Sequence, residues 1–281
     1  MTTIAQPLPL PRPTRLPATP ALSAVATLVR RRLQLTLRTP RELFVPLLTP
    51  ILFALVIAPA LREALHTGAS YESYVALGTV GLLIPLNAMF SGLGVIVDRE
   101  SGAQRELLAA PIPRPLLIVA NLIVAVAIGA LQVLTLIAAA ALRGISFDAS
   151  VSGVVWFAAA ALLLGVAMYA VAETLASRVP RPEEYIARVP AIAIVPWFLA
   201  GSLFPIGAMP TALTFLAKLL PLTHALAVAR YGLLGDESGL HQIWGMTDVT
   251  AMAALSVAVV GAFAAALATL AVRSFARGAI K

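Results

Sequence analysis

Six long apolar runs constrain the fold of this chain more than any other feature. They are Leu43–Leu61, Tyr74–Val97, Leu116–Leu142, Val151–Leu175, Val189–Ile206 and Val249–Val272. Each is close to the ~20 residues with which an α-helix crosses a ~30 Å hydrocarbon core. The runs lack the alternation expected of the ~10-residue strands of a membrane barrel. With a mean hydropathy of +0.92, they predict an all-α integral membrane protein with six transmembrane helices.

The N-terminal region is polar and falls into two parts. Residues 1–20 contain six prolines, which predicts a disordered tail ahead of a single membrane domain over residues 21–281. From Pro20 to Arg38 the pattern is amphipathic and predicts a helix in the membrane interface. Its apolar face consists of Leu22, Val25, Val29, Leu33 and Leu37, and its polar face of Thr27, Arg31, Gln34 and Arg38. The alternative is a basic segment that only sets the topology.

The segment Gly207–Asp248, between the fifth and sixth runs, is too long for a turn and is still quite apolar. Pro221 divides it into two pieces that are each too short to span the membrane. They predict a re-entrant hairpin of two short helices between helices five and six. The alternative is a seventh span broken at Pro221, which would place the two termini on opposite sides.

The distribution of Lys and Arg decides between these topologies. With six spans, the side that holds both termini carries sixteen of these residues and the opposite side carries four. Such an excess identifies cytoplasmic segments, so the termini and the loop Val97–Pro115 are predicted to be cytoplasmic. A seventh span would weaken the asymmetry. The net charge of +7 is therefore ascribed to topology and anionic lipids, and nucleic acid is not expected as a partner.

The motifs of common catalytic and nucleotide-binding sites are missing from the sequence. It contains no G-x-x-x-x-G-K-[ST], no H-E-x-x-H and no G-x-S-x-G, and its three histidines lie far apart. It also contains no cysteine, which excludes disulfides and thiolate chemistry. The chain is therefore expected to be neither an enzyme nor a cofactor-binding protein by itself.

Two polar residues lie inside predicted spans. Asn87 is expected to hydrogen-bond to a neighbouring helix, with a ligand contact as the alternative. Glu173, near the cytoplasmic end of the fourth span, is interpreted as a residue at headgroup depth that faces Arg178 or water. A substrate or proton contact is its alternative role. Since no span has a central Asp, Glu or Arg, ion-coupled transport lacks its usual machinery.

The loop between the second and third spans concentrates charge in a chain that is only 12% charged. It contains Asp98, Arg99, Glu100, Arg105 and Glu106. A chain that leaves the membrane, forms a short charged helix and returns presents a docking surface on one side of the bilayer. Because no energy source is visible in the sequence, we interpret this loop as the place where a separate motor acts.

Three stretches resemble the ABC-2 type permeases, which are membrane subunits of bacterial ATP-binding-cassette exporters, including the daunorubicin-resistance and nodulation-factor permeases. The first contains Asp98-Arg99-Glu100, Gly102, Arg105, Glu106-Leu107-Leu108-Ala109 and Pro111. The second contains Gly201, Phe204-Pro205 and Pro210, with Ala200 in place of the usual serine. The third contains Pro221-Leu222-Thr223-His224 and Arg230, with Val228 where an acid often lies. The resemblance begins at about residue 22.

The resemblance implies a fold, partners and a location. The fold has six spans, an N-terminal interface helix, a coupling helix in the first cytoplasmic loop and outer re-entrant helices. The partners are a cytoplasmic ATPase subunit, which binds the ATP, and a second permease, which is either another copy of this chain or a relative. The location is the bacterial inner membrane.

The expected function is export of a hydrophobic or amphiphilic cargo, such as a drug, an antibiotic or a lipid-like product, because no charged groups face a pathway. The candidate coupling residues are Asp98, Arg99, Glu100, Gly102, Arg105, Glu106, Leu107 and Leu108. We expect the register on the ATPase to be fixed by Arg99, Glu100, Arg105 and Glu106. The apolar residues expected to be buried against it are Leu107, Leu108 and Ile112. The candidate outer hairpin residues are Pro205, Pro210, Pro221, His224 and Arg230.

His224 and Arg230 are expected either at the polar edge of the outer exit or as anchors at the headgroups. A different class of function also fits the composition. The chain would then be a secondary transporter without an ATPase, or a membrane scaffold.

Overall fold

The computed structural model describes residues 20–38, 40–147 and 149–278. Within these ranges the chain is helical and forms no strand. The helices are α1 (Ala21–Arg38), α2 (Pro40–Leu52), α3 (Ala58–Ala64), α4 (Ala69–Glu100), α5 (Ala103–Ala109), α6 (Pro115–Leu142), α7 (Val151–Ala176), α8 (Pro182–Val189), α9 (Val195–Leu199), α10 (Thr211–Leu219), α11 (Pro221–Leu234), α12 (Ser238–Trp244) and α13 (Val249–Gly278). Residues 1–19, which make up nearly all of the predicted tail, lie outside the described residues.

Five stretches of helix are long and apolar enough to cross a membrane. They are Pro46–Ala64, Ser70–Glu100, Pro115–Leu142, Val151–Ala176 and Val249–Phe275. These stretches confirm the predicted first, second, third, fourth and sixth spans. The connection between the first two apolar runs, residues 62–73, is largely helical, and the chain reverses within residues 65–68. This short turn brings α4 back beside α3.

The predicted fifth span, Val189–Ile206, is displaced toward the N-terminus. Helix begins at Pro182, which occupies the first helical position, and ends at Leu199. Two residues later Gly201 has a left-handed φ of 78°, a conformation that commonly terminates helices. The hydropathy pattern missed the early start because the first turns are charged. Their charged residues are Glu183, Glu184 and Arg188.

Hydrogen bonds to α4 show that this segment crosses the bundle. The Tyr185 hydroxyl donates to the Met89 carbonyl at 2.7 Å. Near the opposite end of α4, the Tyr71 hydroxyl donates to the Leu203 carbonyl at 2.9 Å. Positions 71 and 89 are about 27 Å apart along a helix, nearly the thickness of the hydrocarbon core. Residues 185–203 therefore make one further crossing, antiparallel to α4.

Two π-helical turns, Phe53–Ile57 and Pro190–Ile194, interrupt the first and fifth crossings. Each is followed, two residues after its end, by a proline, Pro59 or Pro196. Proline has no N–H to donate and its ring clashes with the carbonyl four residues earlier. The wider π turn removes this clash and keeps the helix continuous, with Ala58 N–H bonded to the Phe53 carbonyl.

We call the end of the bundle that contains α5 the basic end and the opposite end the hairpin end. Helices α10 and α11 form the predicted hairpin and are bent by 82° relative to each other. With nine and 14 residues, they extend only about 14 and 21 Å. Thr214 Oγ1 donates to the Ile206 carbonyl at 2.9 Å, and Arg230 donates to the Tyr74 carbonyl at 3.3 Å. Both ends of the pair therefore lie at the hairpin end, which excludes a broken seventh span.

Helix α1 confirms the predicted N-terminal amphipathic helix. Leu22, Leu33 and Leu37 are exposed, as expected of a face that contacts lipid at the interface. On the opposite side Ala24 is buried, and Leu28 packs against a cluster at the basic end of the bundle. The polar face thus faces protein in part, where its Arg31 pairs with Asp98.

Helix α4 lies at the centre of the bundle. In its most apolar 18-residue stretch 67% of the residues are buried, compared with 17% to 39% in the corresponding stretches of the other four long spans. Its residues Leu77 and Leu83 belong to the main hydrophobic cluster, together with Leu136 of α6, Leu226 of α11 and Met252 of α13. Because α4 leads directly into the charged loop Val97–Pro115, a displacement of that loop acts on the most buried helix.

Candidate functional site

The charged segment, Val97–Pro115, begins in the last turn of α4 and contains α5 as a separate short helix. Gly102 separates the two with a left-handed φ of 80° and no atom within 4 Å of where a Cβ would be. Glycine adopts this conformation without the cost that a side chain adds. Pro115 then begins α6. The chain thus emerges, forms one short helix at the basic end and returns, as the sequence predicted.

Asp98, in the last turn of α4, pairs with two arginines of α1. Its Oδ1 lies 3.0 Å from Arg31 Nη2, and its Oδ2 lies 3.7 Å from Arg32 Nη1. The Asp98 side chain is only 13% exposed, so these pairs are better shielded from water than ordinary surface pairs. Asp98 therefore fastens α1 to the start of the charged segment.

Arg99 extends to the other side of α4 and binds the end of α7. Its guanidinium donates to the carbonyls of Ala176, Val179 and Pro180 at 2.9, 2.6 and 3.2 Å. The last carbonyls of a helix have no partners within the helix, and a cation at this end also complements the helix dipole. Arg99 therefore caps α7 from a neighbouring helix.

The remaining charged side chains of the segment face outward. Glu100, Arg105 and Glu106 are exposed. The apolar residues Leu107, Leu108 and Ile112, which we expected to be buried against a partner, are instead partly buried and pack against the bundle. Helix α5 therefore has an inner apolar side that joins it to the membrane domain and an outer charged side.

The environment of Glu173 differs from the one that we expected. We interpreted it as a headgroup-depth residue facing Arg178 or water, but its side chain is buried at 1% exposure. The Tyr169 hydroxyl, one turn earlier in α7, donates to Glu173 Oε2 at 2.8 Å. The exposed Arg178 instead donates to Ser274 Oγ of α13 at 3.3 Å. Glu173 lines a small cavity of about 30 Å³ that Arg31 and Asp98 also border, so it faces the base of the charged segment.

Asn87, in the middle of α4, confirms the expected contact between helices. Its Nδ2 donates to the Ala125 carbonyl of α6 at 2.7 Å. Opposite lies Gly129, where a Cβ would be 3.1 Å from the same nitrogen. The glycine lets the two helices approach closely enough for this hydrogen bond.

The hairpin histidine is buried inside the protein. His224 is 3% exposed, with Nδ1 at 3.3 Å from Ser256 Oγ of α13 and Nε2 at 2.9 Å from the Lys218 carbonyl of α10. Trp244 Nε1 donates to the same Ser256 hydroxyl at 2.8 Å. The expectation that His224 lies at the polar edge or at the headgroups is therefore wrong, and it fixes the hairpin to α13.

The hairpin arginine is also buried, at 4% exposure. Arg230 donates to the Tyr74 carbonyl at 3.3 Å and to the Ser202 carbonyl at 3.1 Å. Its Cζ lies 3.4 Å from the centre of the Tyr74 ring, a cation–π contact. Arg230 is thus not a headgroup anchor and joins α11 to α4 and to the turn after α9.

The three hairpin prolines mark the boundaries of short helices. Pro205 precedes the 3₁₀ turn Ile206–Ala208, and Pro210 precedes α10. Pro221 occupies the first position of α11, where its missing N–H leaves no bond unmade. These residues shape the hairpin and do not converge on a pocket with His224 or Arg230.

An ion cluster at the hairpin end was not found from the sequence. Glu72, at 4% exposure, lies 3.1 Å from Arg62 and 3.8 Å from Arg143. It ties the start of α4 to the ends of α3 and α6. Each residue adjoins a different apolar run, so only their placement at the same end of the bundle would have indicated the cluster.

Comparison with known proteins agrees with this architecture. The family model described as ABC-2 type transporter matches residues 23–234, from α1 to the end of α11. Two red-algal relatives, from Porphyra purpurea and Pyropia yezoensis, are named "Putative transport permease ycf38" and are 27% and 26% identical over 217 and 215 residues. Each alignment covers 75% of this chain and 74% of the relative. The chain is a multi-pass membrane protein that belongs to the ABC-2 type transporter family, in which it is a permease.

Proposed function

We propose that this chain is the permease subunit of an ATP-binding-cassette exporter and that a separate ATPase subunit docks on the outer side of α5. The observation that carries the proposal is the division of α5 into two sides. Its apolar side is packed on the bundle, while Arg105 and Glu106 of its other side remain exposed at the basic end, as does Glu100 at the end of α4. Exposed charges of both signs suit a polar interface whose register must be fixed.

The contacts around α5 support a mechanical role. Asp98 connects the segment to α1, and Arg99 connects it to α7. The segment is also continuous in sequence with α4 and α6. A rigid displacement of α5 by ATP-driven closure of the motor would therefore act on four helices at once. This is the arrangement needed to transmit movement from a motor to a transport pathway.

The orientation and partners follow from the same proposal. The basic end lies in the cytoplasm, because Lys and Arg are concentrated there. We propose that both termini are cytoplasmic and that the membrane is a bacterial inner membrane. ATP is bound by the partner subunit, and this chain needs no cofactor of its own. A second permease, identical or related, completes the transporter.

The proposed cargo is hydrophobic or amphiphilic, as in efflux of a drug, an antibiotic or a lipid-like product. Support comes from the distribution of charge within the described spans. Helix α6 contains no charged residue between Pro115 and Leu142. Glu173 is buried and accepts a hydrogen bond from Tyr169 of its own helix, and Arg230 is buried against the Tyr74 and Ser202 carbonyls. A highly charged cargo would require partners that these surfaces do not offer.

The test is co-purification of the full-length tagged chain from mild detergent, with bound proteins identified by mass spectrometry. We expect a phosphate-loop ATPase with the wild type and its loss with the double variant Glu100→Ala/Arg105→Ala. The matched control is Glu184→Ala/Arg188→Ala, which removes an exposed opposite-charge pair at the same end of the bundle.

Retention of the ATPase by the α5 variant, or its loss from the control variant as well, would contradict docking at α5. Recovery of the wild-type chain alone, under conditions that keep another exporter intact, would favour a secondary transporter or a scaffold.

A further inference from the structure

A cavity of about 270 Å³ lies between α4, α6 and α7, away from the charged segment and the hairpin. Most of its wall consists of small or apolar residues. The small ones are Ala88, Ala125, Gly129, Ala130, Ala158, Ala161 and Gly165. Their missing side-chain volume leaves a gap where three close-packed helices would otherwise fill the space. The volume is close to the lower limit of about 300 Å³ for ligand pockets.

The mouth of the cavity opens sideways, between α6 and α7. Leu134 and Leu162 line it and are 63% and 51% exposed on the outer surface of the bundle. Both lie well inside membrane-spanning helices, so in the single permease chain this opening is at the depth of the lipid hydrocarbon. The lining extends from Ala125 to Ile137 along α6, about 18 Å of helix, so the cavity is a slot that suits a chain better than a bulky ring system.

Asn87 is the single amide on this lining and lies on α4, the wall opposite the opening, next to Ala125 of α6. Its side chain makes one hydrogen bond among the described residues, from Nδ2 to the Ala125 carbonyl. That bond fixes the orientation of the amide. Its Oδ1 and second N–H are then available to a group that enters the slot, as acceptor and donor. In a hydrocarbon environment such groups favour a ligand that pairs with them.

We infer that this cavity binds the hydrocarbon chain of an amphiphile that enters from the bilayer. Asn87 favours a chain that carries a hydroxyl or carbonyl oxygen at its buried end. The chain belongs either to a resident lipid or to a transported molecule, since both offer the same chemistry. The inference does not depend on the proposed ATPase, because the site lies within one permease chain.

The experiment uses purified full-length protein in detergent with two photoreactive probes, a diazirine-labelled fatty acid and its ω-hydroxy derivative. Cross-linked peptides are identified by mass spectrometry. We expect labelling between residues 125 and 137 and between residues 157 and 165, with about five-fold preference for the hydroxylated probe. Replacing Asn87 by Leu should abolish that preference.

The blocking variant is Gly165→Leu, which places a side chain in the slot. A Cβ at this position would meet only Ile84 and Val126, at 3.8 Å, so the fold should accept it. We expect about ten-fold less labelling of the cavity peptides. Gly261→Leu is the matched control, since its Cβ would meet Leu163 at 3.7 Å outside this cavity, and it should label like the wild type.

Native mass spectrometry of the same samples distinguishes the two sources of the chain. A co-purified lipid that the probe cannot displace identifies a resident lipid, whereas a displaceable one identifies a route open to cargo. Either result, with labelling lost in Gly165→Leu, supports the site. Labelling elsewhere only, or equal labelling of the wild type and Gly165→Leu, would overturn the inference.

Discussion

Replacement of Arg99 by alanine separates a structural role from a docking role. The residue lies in the segment proposed to meet the ATPase, yet its guanidinium is directed at the end of α7. We therefore expect Arg99→Ala to lower the stability of the membrane domain itself. An exposed docking residue would instead affect ATPase binding and leave stability unchanged.

The expected loss follows from the hydrogen bonds to Ala176 and Val179, at 2.9 and 2.6 Å, both partly buried. A hydrogen bond to a charged group contributes about 1.5–3 kcal/mol. Because Arg99 is partly exposed and water replaces some of the loss, we discount the sum to about 2–4 kcal/mol. A change of this size lowers the Tm of a domain of comparable size by on the order of 10 °C. Arg99→Lys should recover only part of the lost stability, because the ammonium group keeps the positive charge but lacks the planar fork of donors.

The measurement is the Tm of purified full-length variants in detergent, with ATPase co-purification measured in parallel. Arg105→Ala is the control, because Arg105 is exposed on the outer side of α5 and an exposed substitution usually changes stability by less than about 0.5 kcal/mol. A wild-type Tm for Arg99→Ala together with loss of the ATPase would refute the reasoning and return Arg99 to the docking surface.

Three further substitutions test the packing around the site. Asp98→Asn removes the carboxylate that pairs with Arg31, so the backbone amides of α1 should exchange with deuterium faster while those of α13 do not. Unchanged protection of the α1 amides would contradict the role of Asp98 in fastening α1. Gly78→Ala should lower the Tm by an amount typical of overpacking, about 1–3 kcal/mol in stability, because a Cβ would collide with the carbonyl of Ser202; a wild-type Tm would show that the turn adapts. Gly102→Ala should cost only about 1–2 kcal/mol through its left-handed φ but weaken ATPase co-purification by re-orienting α5; unchanged binding would show that this orientation is unimportant.

Local sequence determined most of the secondary structure. Apolar runs of about 20 residues can cross the bilayer only as helices, because hydrocarbon offers no partners to an open backbone. Pro221 ends one helix and begins the next, and Gly102 supplies the left-handed residue between α4 and α5. Counting Lys and Arg was sufficient to choose the re-entrant hairpin, which the structure confirms. The early start of the fifth crossing at Pro182 was missed because hydropathy is insensitive to a helix that begins with charged turns.

The partners of the charged residues were decided by the tertiary structure alone. Asp98 meets Arg31 from 67 positions away, and Arg99 meets Ala176 from 77 positions away. Glu173 and Arg230 are buried although a hydropathy argument places such groups at a polar edge. The physical reason is that a charge within a membrane protein is stabilised by whichever hydroxyl, carbonyl or counter-ion the packed helices place beside it. Sequence periodicity assigns a residue to a helix face, but only the packing of the helices assigns a partner to that face.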